Sequence, residues 1–211
     1  MAQKDIGNTR PLHTLSSSEE VRQFYDEWSV DEKYNKDMLE WNYTGPKETV
    51  SCLLRFVPDR DTLVFDAGCG SGLVGVELKK SGYQNLHGAD ISEKLLQRIP
   101  VGIYQRLERV DLNAPLDSAD DTYGAVVCVG TFTYGHVAVH ALDEFVRITQ
   151  PGGLICFTVN EGIYATHGFE DKIRELEAQR KWQKIALFKS EYLASKAVGA
   201  WLGVYRVADC G

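Results

Sequence analysis

The amino-acid sequence predicts an α/β protein whose core is a doubly wound, mostly parallel sheet. Three observations predict this fold class. From Thr62 onwards, short apolar runs alternate with stretches of helical periodicity. The runs AVVCV and LICFTV are apolar throughout, which is typical of strands covered on both faces. In the last quarter the alternation stops, and two aromatic-rich segments with no helix between them predict an antiparallel hairpin at the edge of the sheet.

The residues before the sheet predict a tail and a helical cap. Residues 1–16 are polar and aperiodic, and we expect them to form a flexible tail. Ser17 and Glu20 have the spacing of a capping box, which begins the first helix. Two more helices are predicted ahead of the core, at Asp31–Leu39 and from Gly45-Pro46 to Val57. The chain is therefore expected to form one domain, residues 17–211, with a cap at 17–58 and a core at 59–211.

The core elements are predicted in a regular order. Five short apolar runs predict strands, at Leu63–Phe65, Leu86–Ala89, Tyr104–Val110, Ala125–Val129 and Leu154–Val159. Helical periodicity predicts helices at Leu73–Lys80, Ser92–Arg98, His136–Thr149 and Phe169–Lys184. The terminal hairpin is expected to pair Ile185–Tyr192 with Trp201–Val207.

The charge balance excludes some classes of partner. The chain has 23 basic and 30 acidic residues and a net charge of −7, and acidic residues outnumber basic ones by five between Glu19 and Glu40. Proteins that bind nucleic acid through phosphates usually carry a basic stripe, and this sequence has none, so we expect no nucleic-acid partner. No apolar run approaches the ~18 residues of a membrane span, so we expect no membrane partner.

The cysteines and histidines indicate neither a disulfide scaffold nor a metal site. The five cysteines are odd in number and include no C-x-x-C pair. His136 and His140 are four residues apart, but no pattern for a third ligand accompanies them, so no metal is expected. The first twenty residues contain no apolar segment of the kind found in secretory signals, which favours a cytoplasmic location.

The strongest motif is the glycine-rich segment DAGCGSG, residues 66–72, which lies between a predicted strand and a predicted helix. Glycines let the backbone turn sharply and approach a ligand closely because no Cβ intrudes. The following helix presents free N–H groups at its start. Ligands of open parallel sheets bind beyond the carboxyl ends of the strands, so this loop is expected to bind a ligand.

Two nucleotide cofactors are compatible with this segment. Gly70-x-Gly72-x-x-Gly75, with Asp90 twenty residues after the first glycine, matches the dinucleotide fingerprint of NAD-binding proteins. Asp66 opposes that assignment, because its carboxylate would face an anionic pyrophosphate. The same carboxylate suits a ligand with an ammonium group, such as the methionine part of S-adenosylmethionine.

Aspartates end the second and third predicted strands as well as the first. A carboxylate at Asp90 can accept hydrogen bonds from both hydroxyls of a ribose, which both cofactors carry. A carboxylate at Asp111 can accept a hydrogen bond from the amine of adenine. Any one of the three aspartates is weak evidence, since aspartate is also a common helix cap. Together with the glycine loop, they predict an adenosine-binding site.

At these positions the chain resembles class I S-adenosylmethionine-dependent methyltransferases. Four segments resemble the motifs of that family and occur in its order: Phe65–Gly72, Gly88–Ser92, Asp111-Leu112 and Gln150–Leu154. Three further tracts are similar to the Williams–Beuren syndrome chromosomal region methyltransferase-like proteins: Phe24–Trp28, Leu86–Ser92 and Gly102–Leu107. The resemblance implies a Rossmann-like, seven-stranded core with an antiparallel C-terminal edge hairpin and an N-terminal helical cap.

The resemblance also implies the cofactor, S-adenosyl-L-methionine, and the residues that bind it. Backbone contacts to the methionine part are implied for Gly68, Cys69 and Gly70, with Asp66 ordering the loop near the ammonium group. Contacts to the ribose and adenine are implied for Asp90, Ile91, Asp111 and Leu112. Positions near the sulfonium are implied for Val129, Gly130 and Thr131.

Methyl transfer from a sulfonium is an in-line displacement of an activated group, so holding the reactants in line can supply much of the catalysis. A base is needed only if the acceptor loses a proton during the attack. Candidate catalytic residues are His136, where related enzymes often place a histidine, and Tyr34, together with Tyr43, Tyr134 and Glu161. Tyr25, Trp28 and Tyr34 are candidates for a lid.

The sequence therefore predicts a methyltransferase that acts on a small-molecule acceptor, with a protein acceptor left open. One alternative is an NAD-dependent oxidoreductase that uses Gly70, Gly72 and Gly75. Another is a non-catalytic S-adenosylmethionine-binding protein, since intact binding residues do not prove turnover. The sequence leaves the acceptor's identity and the oligomeric state undetermined.

Overall fold

The computed structural model describes residues 12–135 and 137–209, and the strands among them form one seven-stranded sheet. The strands are β1 Val64–Ala67, β2 Leu86–Asp90, β3 Arg106–Arg109, β4 Tyr123–Phe132, β5 Thr149–Asn160, β6 Trp182–Leu193 and β7 Val198–Val207. Their order in the sheet is β3-β2-β1-β4-β5-β7-β6. The first five are parallel, and β7 is antiparallel to both β5 and β6. The predicted parallel sheet with an antiparallel edge hairpin is confirmed.

Helices cover the sheet on both faces and precede it in the chain. The α-helices of the described residues are α1 Ser18–Trp28, α2 Lys33–Glu40, α3 Gly45–Phe56, α4 Leu73–Lys80, α5 Glu93–Leu96, α6 Ala141–Ile148, α7 Glu161–Tyr164 and α8 Phe169–Ala178. The predicted start of α1 is confirmed, since the Ser17 side chain accepts a hydrogen bond from the Glu20 N–H. The Glu20 carboxylate accepts hydrogen bonds from Ser16, one residue before the position expected of a capping box.

The long helix predicted at Phe169–Lys184 is wrong beyond Ala178. Arg180 has a φ of +55°, and the Lys181 N–H donates to the Leu176 carbonyl, a pattern that ends a helix. Trp182 then begins β6 and stacks on the ring of Tyr205, with 4.3 Å between the ring centroids. The apolar periodicity that placed Trp182 on the helix therefore belongs to the sheet.

Other boundaries differ by smaller amounts. The predicted helix His136–Thr149 is limited to α6, and His136 lies outside the described residues. Of the predicted flexible tail, residues 1–11 also lie outside the described part, whereas Leu12–Thr14 form a 3-10 turn and Leu15 is buried. Strands β4 and β5 are longer than predicted, while β3 and α5 are shorter.

The cap is joined to the edge of the sheet by a hydrophobic cluster. Its buried members are Leu15, Val21, Phe24, Trp28, Met38, Trp41, Tyr192, Leu193 and Ala200. Backbone hydrogen bonds continue this junction, since the Thr44 N–H donates to the Tyr192 carbonyl at 2.9 Å. The cap is thereby placed over the carboxyl ends of the parallel strands. Within the described ranges, no helix is long and apolar enough to cross a membrane.

Candidate active site

A pocket opens at the carboxyl ends of β1, β2, β3 and β4, under helices α1 and α2. Its position at the strand ends is that of a ligand site in an open parallel sheet. The strand ends contribute Gly68, Gly70, Asp90, Ile91, Val110, Asp111, Leu112, Asn113, Val129, Gly130 and Thr131 to its walls. Further lining residues are Ser18, Val21, Tyr25, Tyr34, Leu95 and Val137.

The glycine-rich loop is folded tightly against the neighbouring strands. The N–H groups of Gly68 and Cys69 both donate to the Ala89 carbonyl, at 2.8 and 2.9 Å. Gly68 has a φ of +76°, and a Cβ there would collide with the side chain of Thr131. These N–H groups already have partners inside the protein, and at Gly68 and Gly70 the loop presents a surface free of side chains to the pocket.

Asp90 lies at the junction of the loop with β2. One carboxylate oxygen accepts a hydrogen bond from the Gly70 N–H and the other from the Ser92 N–H, each at 2.8 Å. Burial raises the pKa of Asp90 to about 6, although these backbone hydrogen bonds act in the opposite direction. The carboxylate is thus fixed in orientation at the pocket wall, and each oxygen keeps a further lone pair for a ligand.

Asp66 is buried beneath the loop with an unmet hydrogen-bonding capacity. The Tyr104 hydroxyl donates to one carboxylate oxygen at 2.5 Å, and the other oxygen has no partner among the described residues. Burial raises the pKa of Asp66 to about 7, with a further contribution from Asp90. An unpaired buried carboxylate oxygen is costly, so this position favours a cationic partner.

Two side-chain hydrogen bonds hold the cap over the pocket. The Ser92 hydroxyl donates to the carboxylate of Asp26 on α1 at 2.6 Å, and Asp26 is also paired with Arg22. The Ser71 hydroxyl donates to the side-chain oxygen of Asn35 on α2 at 2.5 Å. Each bond joins one cap helix to a segment next to the pocket, either the turn after β2 or the glycine loop.

Most of the residues that the sequence singled out lie around this pocket. Those in its walls are Tyr34, Gly68, Gly70, Asp90, Ile91, Asp111, Leu112, Val129, Gly130 and Thr131. Asp66 and Cys69 are buried and do not line it, and burial raises the pKa of the Cys69 thiol. His136 lies outside the described residues.

The three aromatic residues suggested for a lid lie in different places. Tyr25 and Tyr34 line the pocket, whereas Trp28 is buried in the cap and its indole N–H donates to Asp37 at 2.7 Å. Three other candidates, Tyr43, Tyr134 and Glu161, are not among the lining residues. Glu161 accepts a hydrogen bond from the Gly199 N–H, and the ring of Tyr134 packs near His167.

Several contributors were missed by sequence reasoning. Tyr104 had been assigned to a strand, and nothing in its local pattern indicated a bond to Asp66 thirty-eight residues away. Asn35 and Asp26 lie in the predicted cap helices, and no local pattern there indicated a bond to the core. Only Ser92 carried a signal, because it was recognisable as a helix cap next to Asp90.

The structure also bears on the dinucleotide fingerprint. In that fingerprint the third glycine allows close packing of the helix on the strand. A Cβ at Gly75 would instead collide with the Tyr104 side chain, which reaches past it to Asp66. The third glycine is therefore explained by the tyrosine that binds Asp66 and gives no independent support to NAD.

A family model and a curated relative both identify a methyltransferase. A sequence model of the family described as "Methyltransferase domain" matches residues 64–153. Human methyltransferase-like protein 27 is 32% identical over 216 residues, which cover 96% of this chain and 86% of the human protein.

Two solved structures share the fold at lower identity. Magnesium protoporphyrin IX methyltransferase from Synechocystis PCC 6803, solved with bound SAM, has a TM-score of 0.67 at 16% identity and covers 95% of this chain and 100% of its own. A Haloferax volcanii protein solved in complex with the Trm112 methyltransferase activator has a TM-score of 0.67 at 21% identity, with coverage of 90% and 98%.

Proposed function

The chain belongs to the S-adenosylmethionine-dependent methyltransferases, in the group that includes human methyltransferase-like protein 27, and from this premise we propose that it methylates a small molecule bound under the cap. The family gives the cofactor and the reaction class. The proposal concerns the residues that hold the cofactor and the kind of acceptor.

The residues around the glycine loop fit the polar end of S-adenosylmethionine. The unpartnered oxygen of Asp66 suits the ammonium group of the methionine part, directly or through a bridging water. Asp90 has lone pairs at the pocket wall that can accept from the ribose hydroxyls. Bound there, the cofactor supplies a methyl group already activated on a sulfonium.

The remaining wall residues fit the adenine and the region of transfer. Ile91 and Leu112 provide apolar surface for a planar base, and Asp111 can accept a hydrogen bond from the adenine amine. The far wall is formed by the end of β4, Val129–Thr131. We therefore assign the transferred methyl group to the space beside Gly130.

The two predicted catalytic residues have different roles in this proposal. Burial raises the pKa of Tyr34, so its phenol stays protonated at neutral pH and can orient an acceptor but cannot act as a base. His136, six residues beyond Gly130, is the candidate to take a proton from an acceptor that must lose one.

The cap is the observation that carries the choice of a small acceptor. Tyr25 and Tyr34 cover the pocket, and the Ser92–Asp26 and Ser71–Asn35 hydrogen bonds hold their helices in place. A covered pocket admits a small molecule more readily than a side chain on a folded protein. The acidic cap further disfavours a nucleic acid.

The test has two steps. Isothermal titration with S-adenosylmethionine, S-adenosylhomocysteine and NAD should show micromolar binding of the first two ligands and none of NAD. The protein is then incubated with methyl-tritiated S-adenosylmethionine and a cell extract divided at about 3 kDa. Label in the small-molecule fraction supports the proposal, and label confined to the protein fraction contradicts it.

A further inference from the structure

The side chain of Tyr104 reaches Asp66 through space that two glycines leave open. Its ring is partly buried against the hydrophobic cluster under α3 and α4, and its hydroxyl donates to one carboxylate oxygen of Asp66 at 2.5 Å. A Cβ at Gly88 would lie 3.0 Å from the ring, and a Cβ at Gly75 would collide with the hydroxyl. Both positions therefore have to lack a side chain for this hydrogen bond to form.

The hydrogen bond satisfies only one side of the Asp66 carboxylate. Asp66 is 1% exposed, and its second oxygen has no partner among the described residues. A donor held by packing on the first oxygen restricts the rotation of the carboxylate and so fixes the place of the second oxygen. Burial raises the pKa of Asp66 to about 7, and the bond from Tyr104 acts in the opposite direction because it stabilises the ionised form.

We propose that Tyr104 is a positioning residue for the cofactor, whose hydroxyl holds the Asp66 carboxylate ionised and oriented for the ammonium group of the methionine part. This inference rests on the proposed function, which places that ammonium group beside Asp66. Tyr104 is not among the residues that line the pocket, so it acts through Asp66. Its removal should therefore weaken contacts to the amino-acid end of the cofactor and leave those to the adenosine unchanged.

The other titratable groups that interact with Asp66 are Asp90 at the end of β2, Cys69 in the glycine loop and Cys128 on β4. Burial raises the pKa of both thiols and of the Tyr104 phenol, so these groups stay protonated near neutral pH. Asp90 has a pKa of about 6 and also titrates in this range. Because Asp90 is assigned to the ribose, a ligand with the ribose but without the ammonium group separates the two carboxylates.

The experiment compares S-adenosylhomocysteine with 5′-methylthioadenosine, which keeps the adenosine and the sulfur but lacks the amino-acid end. The Kd of each ligand for the full chain is measured by calorimetry at pH 6 and at pH 8.5. Tyr104→Phe keeps the ring and removes the donor. At pH 6 we expect it to bind S-adenosylhomocysteine roughly tenfold more weakly, as a rise of one unit in the pKa of Asp66 would produce.

Two features of the result distinguish positioning from a general structural role. At pH 8.5, where Asp66 is ionised with or without its donor, the loss in Tyr104→Phe should shrink to about twofold or less. The Kd of 5′-methylthioadenosine should be the same in Tyr104→Phe and in the unchanged chain at both pH values. Gly75→Ala keeps the phenol but places a methyl group against its oxygen, so it should give the same loss at pH 6.

Tyr83→Phe is the matched control, because Tyr83 belongs to the same hydrophobic cluster and its hydroxyl is also hydrogen-bonded. This variant should keep the affinity for both ligands. Normal binding of S-adenosylhomocysteine at pH 6 by both Tyr104→Phe and Gly75→Ala overturns the proposal. An equal loss at both pH values, or an equal loss for both ligands, also overturns it. Failure of the unchanged chain to bind S-adenosylhomocysteine contradicts the proposed function instead.

Discussion

The core and the cap contribute to the same pocket by different physical means. At the strand ends of the core, backbone hydrogen bonds fix the polar groups that face a ligand, as the N–H groups of Gly70 and Ser92 fix the carboxylate of Asp90. The cap covers the pocket with the rings of Tyr25 and Tyr34. A hydrophobic cluster and backbone hydrogen bonds join the cap to the sheet edge, but over the pocket single side-chain hydrogen bonds hold its helices.

This difference indicates that the core and the cap have different roles in ligand binding. Groups fixed by backbone give the core a preorganised binding surface whose geometry changes little when a ligand enters. Over the pocket, where a few side-chain bonds hold the cover, it can move while its junction with the sheet edge stays intact, and a pocket under a cap requires such movement for exchange of its ligands. We therefore expect core substitutions to change equilibrium affinity and cap substitutions to change the rates of binding and release.

The largest effect is expected in the core, at Asp90. Asp90→Ala removes the acceptors for the ribose hydroxyls and frees the Gly70 N–H that orders the loop. Loss of hydrogen bonds to a charged group costs about 2–3 kcal/mol, or roughly a hundredfold in the Kd of S-adenosylhomocysteine measured by calorimetry. Glu93→Ala, on the exposed side of α5, is the control and should bind normally. Unchanged affinity of Asp90→Ala would show that the ribose lies elsewhere.

The second effect concerns the protonation of Asp66. Its pKa is raised from 3.8 to about 7 in the folded chain, so the ligand-free fold binds more protons than the unfolded chain does between these values. The free energy of unfolding should therefore fall as the pH rises from about 4 to about 7. Asp66→Asn should flatten this slope, as measured by urea denaturation across that pH range.

An ammonium group bound beside Asp66 would favour the ionised carboxylate and lower its pKa again. Binding of S-adenosylhomocysteine near pH 6.5 should release a proton from Asp66, which titration in buffers of different ionisation enthalpy detects. The release should disappear at pH 9 and in Asp66→Asn. Proton release that persists in Asp66→Asn would assign it to another group, with Asp90 the next candidate because its pKa is raised to about 6.

The same difference explains which features could be predicted from the sequence. The parallel sheet, the edge hairpin and the strand-end aspartates follow from local periodicity and from the rule that ligands bind at the carboxyl ends of parallel strands. The Tyr104–Asp66 and Ser71–Asn35 bonds join residues more than thirty positions apart, and no local pattern encodes them. The end of α8 was missed because Trp182 suits a helix face and a sheet equally well.

A smaller effect is expected in the cap, at Asn35. Asn35→Ala removes the acceptor of the Ser71 hydroxyl and loosens α2 without touching the strand ends. One such bond contributes about 1 kcal/mol, so release of S-adenosylhomocysteine in stopped-flow experiments should be roughly fivefold faster. Lys36→Ala on the same helix is the control, since its ammonium group binds a carbonyl within the cap. If Asn35→Ala lowered the affinity as much as Asp90→Ala does, this would contradict the expectation that cap substitutions change rates and core substitutions change affinity.

The smallest effect on binding is expected at Tyr205, within the core but away from the pocket. Its hydroxyl is buried and has no hydrogen-bond partner among the described residues, while its ring stacks on Trp182. Tyr205→Phe keeps the stack and removes an unsatisfied polar group, so the free energy of unfolding in urea should rise by about 1 kcal/mol. Tyr83→Phe is the contrasting variant. It removes a hydroxyl that accepts a hydrogen bond from Arg60 and donates one to the Val57 carbonyl, so the free energy of unfolding should fall. Because neither residue lines the pocket, both variants should bind S-adenosylhomocysteine normally, and a change in its Kd would mean that core packing and the strand-end site are coupled.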